Sequence, residues 1–347
     1  MKAFDKLTRR GKIKRFRPLA ETALRAYGLE NARLHFVRFA GNTVYRVNES
    51  DPKISNSGDQ PFEPGQYLLR IHADSEQPTE AIELEMRWLE AIRKDTGLPV
   101  PEPVRNRRGQ LLTRVSCPGV PEPRDSTLLR WLKGHFVSKR LRPNHFRAQG
   151  RLMAQLHNHA SRWQAPSGLS KRRFDWKGLF RDNSGARIPA SEAWPLLEDR
   201  FREPYEAVAR KTRSLMQELG EGPDVFGLIH ADCGTDANLI FHNGEARPID
   251  FDGSGFGYYA FDLAVALEHV WQEEAYAEYR DALIDGYLEC RSMPDQQLRS
   301  VEFFLCAFYV YMGLWVTAVL HTAPNPRPKQ LTEWQNRGLK YIERSFS

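Results

Sequence analysis

The sequence predicts an α+β protein: a largely antiparallel β portion carrying one long helix, followed by a mostly helical portion. Three observations point there. Runs of β-branched and aromatic residues separated by turn residues crowd the first ~130 positions. Apolar residues at helical spacing dominate the remainder of the chain. The clear strands beyond residue 150 all flank one polar stretch, residues 228–241, "LIHADCGTDANLIF". Strands and helices segregated in this way suit an α+β arrangement, and 347 residues are enough for two lobes with sizeable cores.

Taken in order, residues 1–17 hold eight Lys or Arg and one Asp, leaving 42 of the 50 basic and 43 of the 44 acidic residues elsewhere. The net charge of +6 and the pI of 9.1 therefore belong to this basic arm. It reads as a solvated tail, with contact to an anionic partner as the alternative; the rest of the chain gives no reason to require DNA or RNA. "LAETALRAYGL" reads as a short helix ending at Gly28. "LHFVRFAGNTVYRV" gives two strand-like runs around Gly41, residues 49–66 read as a loop, and "YLLRIH" as a strand. Apolar residues at 82, 84, 88, 89 and 92 predict an amphipathic helix stopped by Gly97. A second hairpin is expected across Arg108 and Gly109.

Helices are expected around 146–163, 202–219, 261–289 and 301–321. Within the last, residues 303–320 carry no charge and reach the lower length limit of a membrane span. Cys, Gly, Thr and two Tyr inside it favour a buried core helix, so no transmembrane segment is expected. No signal-peptide pattern opens the chain. The four cysteines lie far apart, which excludes a disulfide framework or a zinc site and points to a reducing cytoplasm.

The chemistry gathers at the polar stretch. "DVFGLIH" is a short strand delivering His230 and Asp232 to its end, and Asn243-Gly244 is a strong hairpin signal. With those two as the turn, His242 faces Glu245 and Asn238 faces Ile249, which brings Asp250 close to Asn238. Two carboxylates and an amide oxygen converging on one spot call for a cation, and a small set of hard oxygen donors suits Mg²⁺. A further carboxylate can accept a hydroxyl proton, which completes the parts that phosphoryl transfer needs. His157 and His159 stand two apart on a helix and diverge, so they share no metal. Cys233 reads as a small packed residue.

The pattern "HAD…N…IDFD…DLA" resembles the aminoglycoside phosphotransferase and choline kinase superfamily, relatives of the protein kinases. The resemblance covers about residues 18–320 and implies a protein-kinase-like two-lobed fold. It implies an N-lobe over 18–127, a hinge over 128–134 and a helical C-lobe over 135–347 with a catalytic loop at 228–241 and a metal strand at 247–252. By this resemblance Asp232 is the catalytic base, Asn238 and Asp250 are Mg²⁺ ligands, and His230 and Asp262 are structural. Gly41, Asn42 and Thr43 offer backbone N–H groups to ATP phosphates. Arg70 is the phosphate-pairing cation with Glu85 as its partner, and Arg130 and Leu132 meet adenine through their backbones.

Two departures accompany the match. Five residues, "CGTDA", separate Asp232 from Asn238 where the family has four, so either the loop bulges and Asn238 still reaches the metal, or Asp236 substitutes. Arg70 stands where Lys is usual, and its planar fork pairs differently. Asp252 serves a second Mg²⁺ or the substrate, or is merely solvated. The resemblance implies ATP- and Mg²⁺-dependent phosphoryl transfer to a small-molecule hydroxyl, of the homoserine, hydroxylysine or choline type. A stress-response protein kinase and a pseudokinase scaffold are the alternatives. Residues 174–194 are expected to line the acceptor site. Trp176, Tyr258, Tyr259, Trp271 and Trp315 either cage a cationic amine or belong to the core.

Overall fold

The computed structural model describes residues 4–49, 65–73, 77–137, 140–182, 188–323 and 326–346. They fall into two units, Met1–Lys133 with Ala165–Ser170, and Gly134–Gln164 with Lys171–Ser347. The loop expected over 49–66 lies almost wholly outside the described residues.

In the first unit the basic arm is a helix. α1 runs Arg9–Arg25, and its N-cap Thr8 accepts a hydrogen bond from Gly11 N at 3.2 Å. Phe16, Leu19, Ala20, Ala23 and Leu24 form its buried stripe, while Arg10, Lys14, Arg17 and Arg25 face solvent. The tail reading is therefore corrected: the charge describes only the outer face, and the apolar stripe that docks the helix begins at Phe16, within the charged run.

Six strands form the sheet of this unit: β1 (Arg33–Ala40), β2 (Asn42–Glu49), β3 (Gly65–Ile71), β4 (Pro103–Val104), β5 (Thr113–Val115) and β6 (Arg124–Arg130). The order is β1-β2-β3-β6-β4, every pairing is antiparallel, and β5 also pairs with β6. Tyr67, Leu69 and Ile71 of β3 join the cluster packed around α1, so the alternation of a strand turns Arg70 to the opposite face. α2 (Thr79–Thr96) ends at Gly97 in the left-handed conformation, φ 70°. Arg108-Gly109 does form a turn, with Gly109 N donating to Asn106 O at 2.8 Å. Its flanks β4 and β5 pair with β6 rather than with each other, which corrects the expected hairpin.

The second unit is mostly helical: α3 (Pro143–Ala160), α4 (Ala190–Ala193), α5 (Asp199–Leu219), α6 (Tyr259–Ala266), α7 (Tyr276–Leu288), α8 (Asp295–Thr322) and α9 (Pro328–Phe346). Its strands are β7 (Arg173–Phe174), β8 (Phe226–Ile229), β9 (Leu239–His242), β10 (Glu245–Pro248) and β11 (Gly255–Tyr258). β11 lies between β8 and β7, and β9 pairs with β10. α8 is long and apolar enough to cross a membrane, yet 67% of its most apolar window is buried, against α5, α6 and α9 among others. It is the core helix of this unit, as its interspersed Tyr, Thr and Gly predict.

Candidate active site

In the first unit, Arg70 Nη1 meets Glu85 Oε1 at 3.0 Å, with both side chains buried. β3 supplies one partner and α2 the other, and Glu85 is the charged member of a helix face otherwise formed by Ala81, Ile82, Leu84, Met86, Trp88, Leu89 and Ile92. Gly41 sits alone between β1 and β2 with φ 65°. Thr43 pairs with Phe39 on one side and Ile71 on the other, so its amide belongs to the sheet. The Asn42 side chain accepts from Ala73 N at 3.0 Å. Of the three amides expected to face phosphate, that of Thr43 is thus taken up by the sheet. Arg130 N–H is likewise committed, to Glu102 O at 2.8 Å. Leu132 follows β6 without a main-chain hydrogen bond among the described residues.

The second unit assembles the carboxylates. Asn243 and Gly244 have φ of 51° and 78°, the paired left-handed turn that suits a two-residue hairpin. His242 faces Glu245, Leu239 faces Pro248, and Ile249 N donates to Asn238 O at 2.9 Å, which is the register counted from the sequence. The five-residue loop is absorbed as a single turn, with Asn238 N donating back to Gly234 O at 3.1 Å. Asn238 Nδ2 then donates to Asp232 O at 3.0 Å and to Asp232 Oδ2 at 2.6 Å, leaving its Oδ1 for a cation. Asp236 points away from this contact: it is exposed, with Oδ1 3.8 Å from His269 Nδ1.

Burial, the nearby charges of Asp250, Asp252 and Asp236, and an opposing hydrogen bond from Asn238 together push the Asp232 carboxyl up to about 7. The group is open to solvent on one side and crowded by protein and carboxylates on the other. Such crowding suits a cation. Among the described residues no cluster of three or more His, Cys, Asp or Glu side chains is placed to hold a metal. A site offering Asp250 and Asn238 oxygens, with the remaining positions for water and phosphate, fits Mg²⁺ rather than a metal that needs a full protein cage.

Two residues beside Asp232 hold left-handed backbones without being glycine, Ala231 (φ 61°) and Asp250 (φ 65°). Such geometry persists only where the surroundings fix it. Asp262, fully buried on α6, fixes the first by accepting from Ala231 N at 2.7 Å and His230 N at 3.2 Å. His157 Nε2 reaches the same carboxylate at 3.0 Å, and its Nδ1 meets Tyr287 Oη at 3.0 Å. Burial alone would raise the Asp262 carboxyl; the hydrogen bonds it accepts from His157 and from Ala231 N outweigh burial and hold the group below its ordinary value. Burial lowers His157, so a neutral imidazole donates to a carboxylate. His230 is also lowered by burial, and its Nε2 donates to Ile249 O at 3.1 Å, tying the end of β8 to the end of β10.

Four residues of this scaffold were not singled out for the site from the sequence: Gln149, His157, His269 and Lys171. Gln149 Nε2 donates to Cys233 O at 2.5 Å, and His269 Nε2 lies 2.5 Å from Thr235 Oγ1. Gln149 and His157 stand eight apart on α3, hence on one face, and that spacing of polar groups was the available signal. Of the five aromatic candidates, Tyr258, Tyr259 and Trp271 belong to the core, whereas Trp176, whose Nε1 donates to Ala209 O, and Trp315 are half-buried. Residues 183–187 of the expected acceptor segment lie outside the described residues.

Comparison with known proteins extends this geometry. The model of a family described as "Phosphotransferase enzyme family" matches residues 40–303. A homoserine kinase of Parvibaculum lavamentivorans is 27% identical over 214 residues, so the match spans 60% of this chain and 60% of that relative. A solved microcompartment-associated aminopropanol kinase superposes with a TM-score of 0.75 at 24% identity, covering 95% of this chain and 97% of the other. The amicoumacin kinase hAmiN, solved with AMP-PNP, Ca²⁺ and Ami, gives a TM-score of 0.67 at 20% identity over 90% and 88%. The fold class is therefore the α+β, two-lobed kinase type, with an antiparallel β unit carrying a long helix and a helical unit.

Proposed function

Because this chain belongs to the phosphotransferase enzyme family, we propose that it moves the γ-phosphoryl group of ATP to a hydroxyl of a small metabolite such as an amino alcohol, a hydroxy amino acid or an aminoglycoside-like compound. The observation that carries the reading is the contact of Asn238 with Asp232, which survives an extra residue in the loop between them. Asp232 orients the acceptor hydroxyl and takes its proton. Asn238 and Asp250 hold Mg²⁺, which when bound offsets the charge of the transferring phosphate. Arg70, held by Glu85, pairs with the phosphates; Gly41 covers them; Leu132 offers its backbone to adenine. The small-molecule acceptor is supported by the names of the relatives, which act on homoserine, aminopropanol and amicoumacin. Buried α8 and four cysteines without disulfides support a cytoplasmic protein.

The test incubates the protein with γ-labelled ATP, Mg²⁺ and, separately, a panel of amino alcohols and hydroxy amino acids and a protein extract, alongside Asp232→Asn. Label entering a small molecule only with the unmodified protein supports the reading. Label entering proteins instead moves the assignment to a protein kinase. ATP binding without transfer to any acceptor in either pool favours the scaffold.

A further inference from the structure

Lys171 is buried, yet it lies outside the motifs that carry the family resemblance. Its Nζ is 3.1 Å from Phe251 O, 3.4 Å from Asp252 O and 2.6 Å from Ser254 Oγ. An ammonium carries three protons, and these three acceptors match them. All three belong to the short turn that follows Asp250. Ser254 tightens the same turn by donating its hydroxyl to Phe251 O at 2.6 Å and its N–H to the same oxygen at 3.0 Å.

The chain delivers Lys171 to this place through a strand pairing. Phe256 N donates to Arg172 O at 2.9 Å, and β11 pairs in parallel with β7 through Phe256 and Arg173. A Cβ on Gly255 would crowd Arg172 O, so glycine is needed for the two segments to approach this closely. The ladder therefore registers the ammonium against the turn.

We propose that Lys171 is a positioning residue of this site: by gripping the Phe251–Ser254 turn it keeps Asp250 in the left-handed conformation that sets its carboxylate beside Asp232. A strained backbone at a site needs an external hold. Asp262 supplies that hold to Ala231 from one side, and Lys171 supplies it to Asp250 from the other. Charge adds to geometry, because a buried cation behind a group of carboxylates lowers the cost of bringing them together before a divalent cation arrives. The link to cation binding rests on the phosphotransferase reading; the grip on the turn does not.

The test compares the full chain with Lys171→Met, which keeps length but removes charge and donors, and with Lys171→Arg. In metal-free protein, hydrogen–deuterium exchange of peptides over 249–255 accelerates about 10-fold or more in Lys171→Met while α6 and α8 keep their protection. With a non-hydrolysable ATP analogue, Mn²⁺ affinity measured by electron paramagnetic resonance falls roughly 10- to 100-fold, as for other groups that orient a metal ligand. Nucleotide affinity without metal is unchanged, and Lys171→Arg recovers most of the loss. Wild-type exchange and Mn²⁺ affinity in Lys171→Met overturn the proposal. A uniform acceleration across the second unit overturns it too, since Lys171 is then an ordinary core residue. If Lys171→Met does not fold, Ser254→Ala removes one acceptor and gives the same pattern at smaller size, or overturns the proposal by leaving 249–255 protected. If the unmodified protein binds no Mn²⁺ with nucleotide, the phosphotransferase reading fails, and the exchange experiment still decides the grip.

Discussion

Asp232 carries opposite demands. In its proposed role as proton acceptor it has to be ionised, but burial and the carboxylates Asp250, Asp252 and Asp236 hold its proton on up to about 7. A folded-state value above the unfolded value of 3.8 means that the fold disfavours the charge. Stability is therefore lost as pH rises from about 4 toward 7, until a divalent cation compensates. Asp232→Asn removes this cost: in metal-free protein above pH 7 its melting temperature exceeds that of the unmodified chain, and the difference closes as pH falls toward 4, read by thermal denaturation across pH. In an assay with Mg²⁺, the same variant loses on the order of 10²–10⁴-fold in kcat while retaining nucleotide binding by calorimetry. Asp252→Asn removes one of the repelling charges, so the acidic limb of the rate profile moves to lower pH.

At the scale of elements, the hairpin and the braced loop matter more than any one ligand. Asn238 faces Ile249, the residue before Asp250, because two turn residues fix the register of β9 against β10. One residue inserted between Asn243 and Gly244 leaves the unit folded by circular dichroism but shifts that register, and phosphoryl transfer disappears. The loop on the other side depends on a fully buried carboxylate that accepts from two backbone amides and from His157. Asp262→Ala leaves those donors buried without an acceptor and costs about 3–5 kcal/mol in urea denaturation. Arg70 and Glu85 are visible in the sequence as a strand cation and a helix acid, but their burial together is a product of packing, since the ion pair joins residues on separate elements.

For the molecule as a whole, the two features that looked out of place in a two-lobed enzyme are core-forming helices. α1 begins in the densest run of positive charge and buries Phe16 against Phe4 and Phe39, with ring centroids 5.5 and 5.9 Å apart. Removing residues 1–17 therefore destabilises the first unit by about 3–5 kcal/mol, the range for deleting a buried Phe. Changing Arg10, Lys14 and Arg17 to Gln, by contrast, alters stability by no more than about 0.5 kcal/mol each. Chemical denaturation of the two variants separates a docked helix from a charged tail. α8 has the composition of a span and the surroundings of a core, so its apolar length reflects burial on most of its circumference.

Local chemistry was enough to specify much of this protein. Asn243-Gly244 determines a two-residue turn, the alternation of β3 turns Arg70 away from Leu69 and Ile71, and the order of His230, Asp232, Asn238 and Asp250 identifies a phosphotransferase family, because each depends on spacing within a few residues. The tertiary structure alone decided that Asn238 rather than Asp236 reaches Asp232, that α1 docks, and that Asp262, His157, Gln149 and Lys171 hold the loop and the turn. Those holds join residues 31 to 105 positions apart. No local period or turn rule links positions at such distances; they meet only when helices and strands pack, and burial then makes each hydrogen bond too costly to lose.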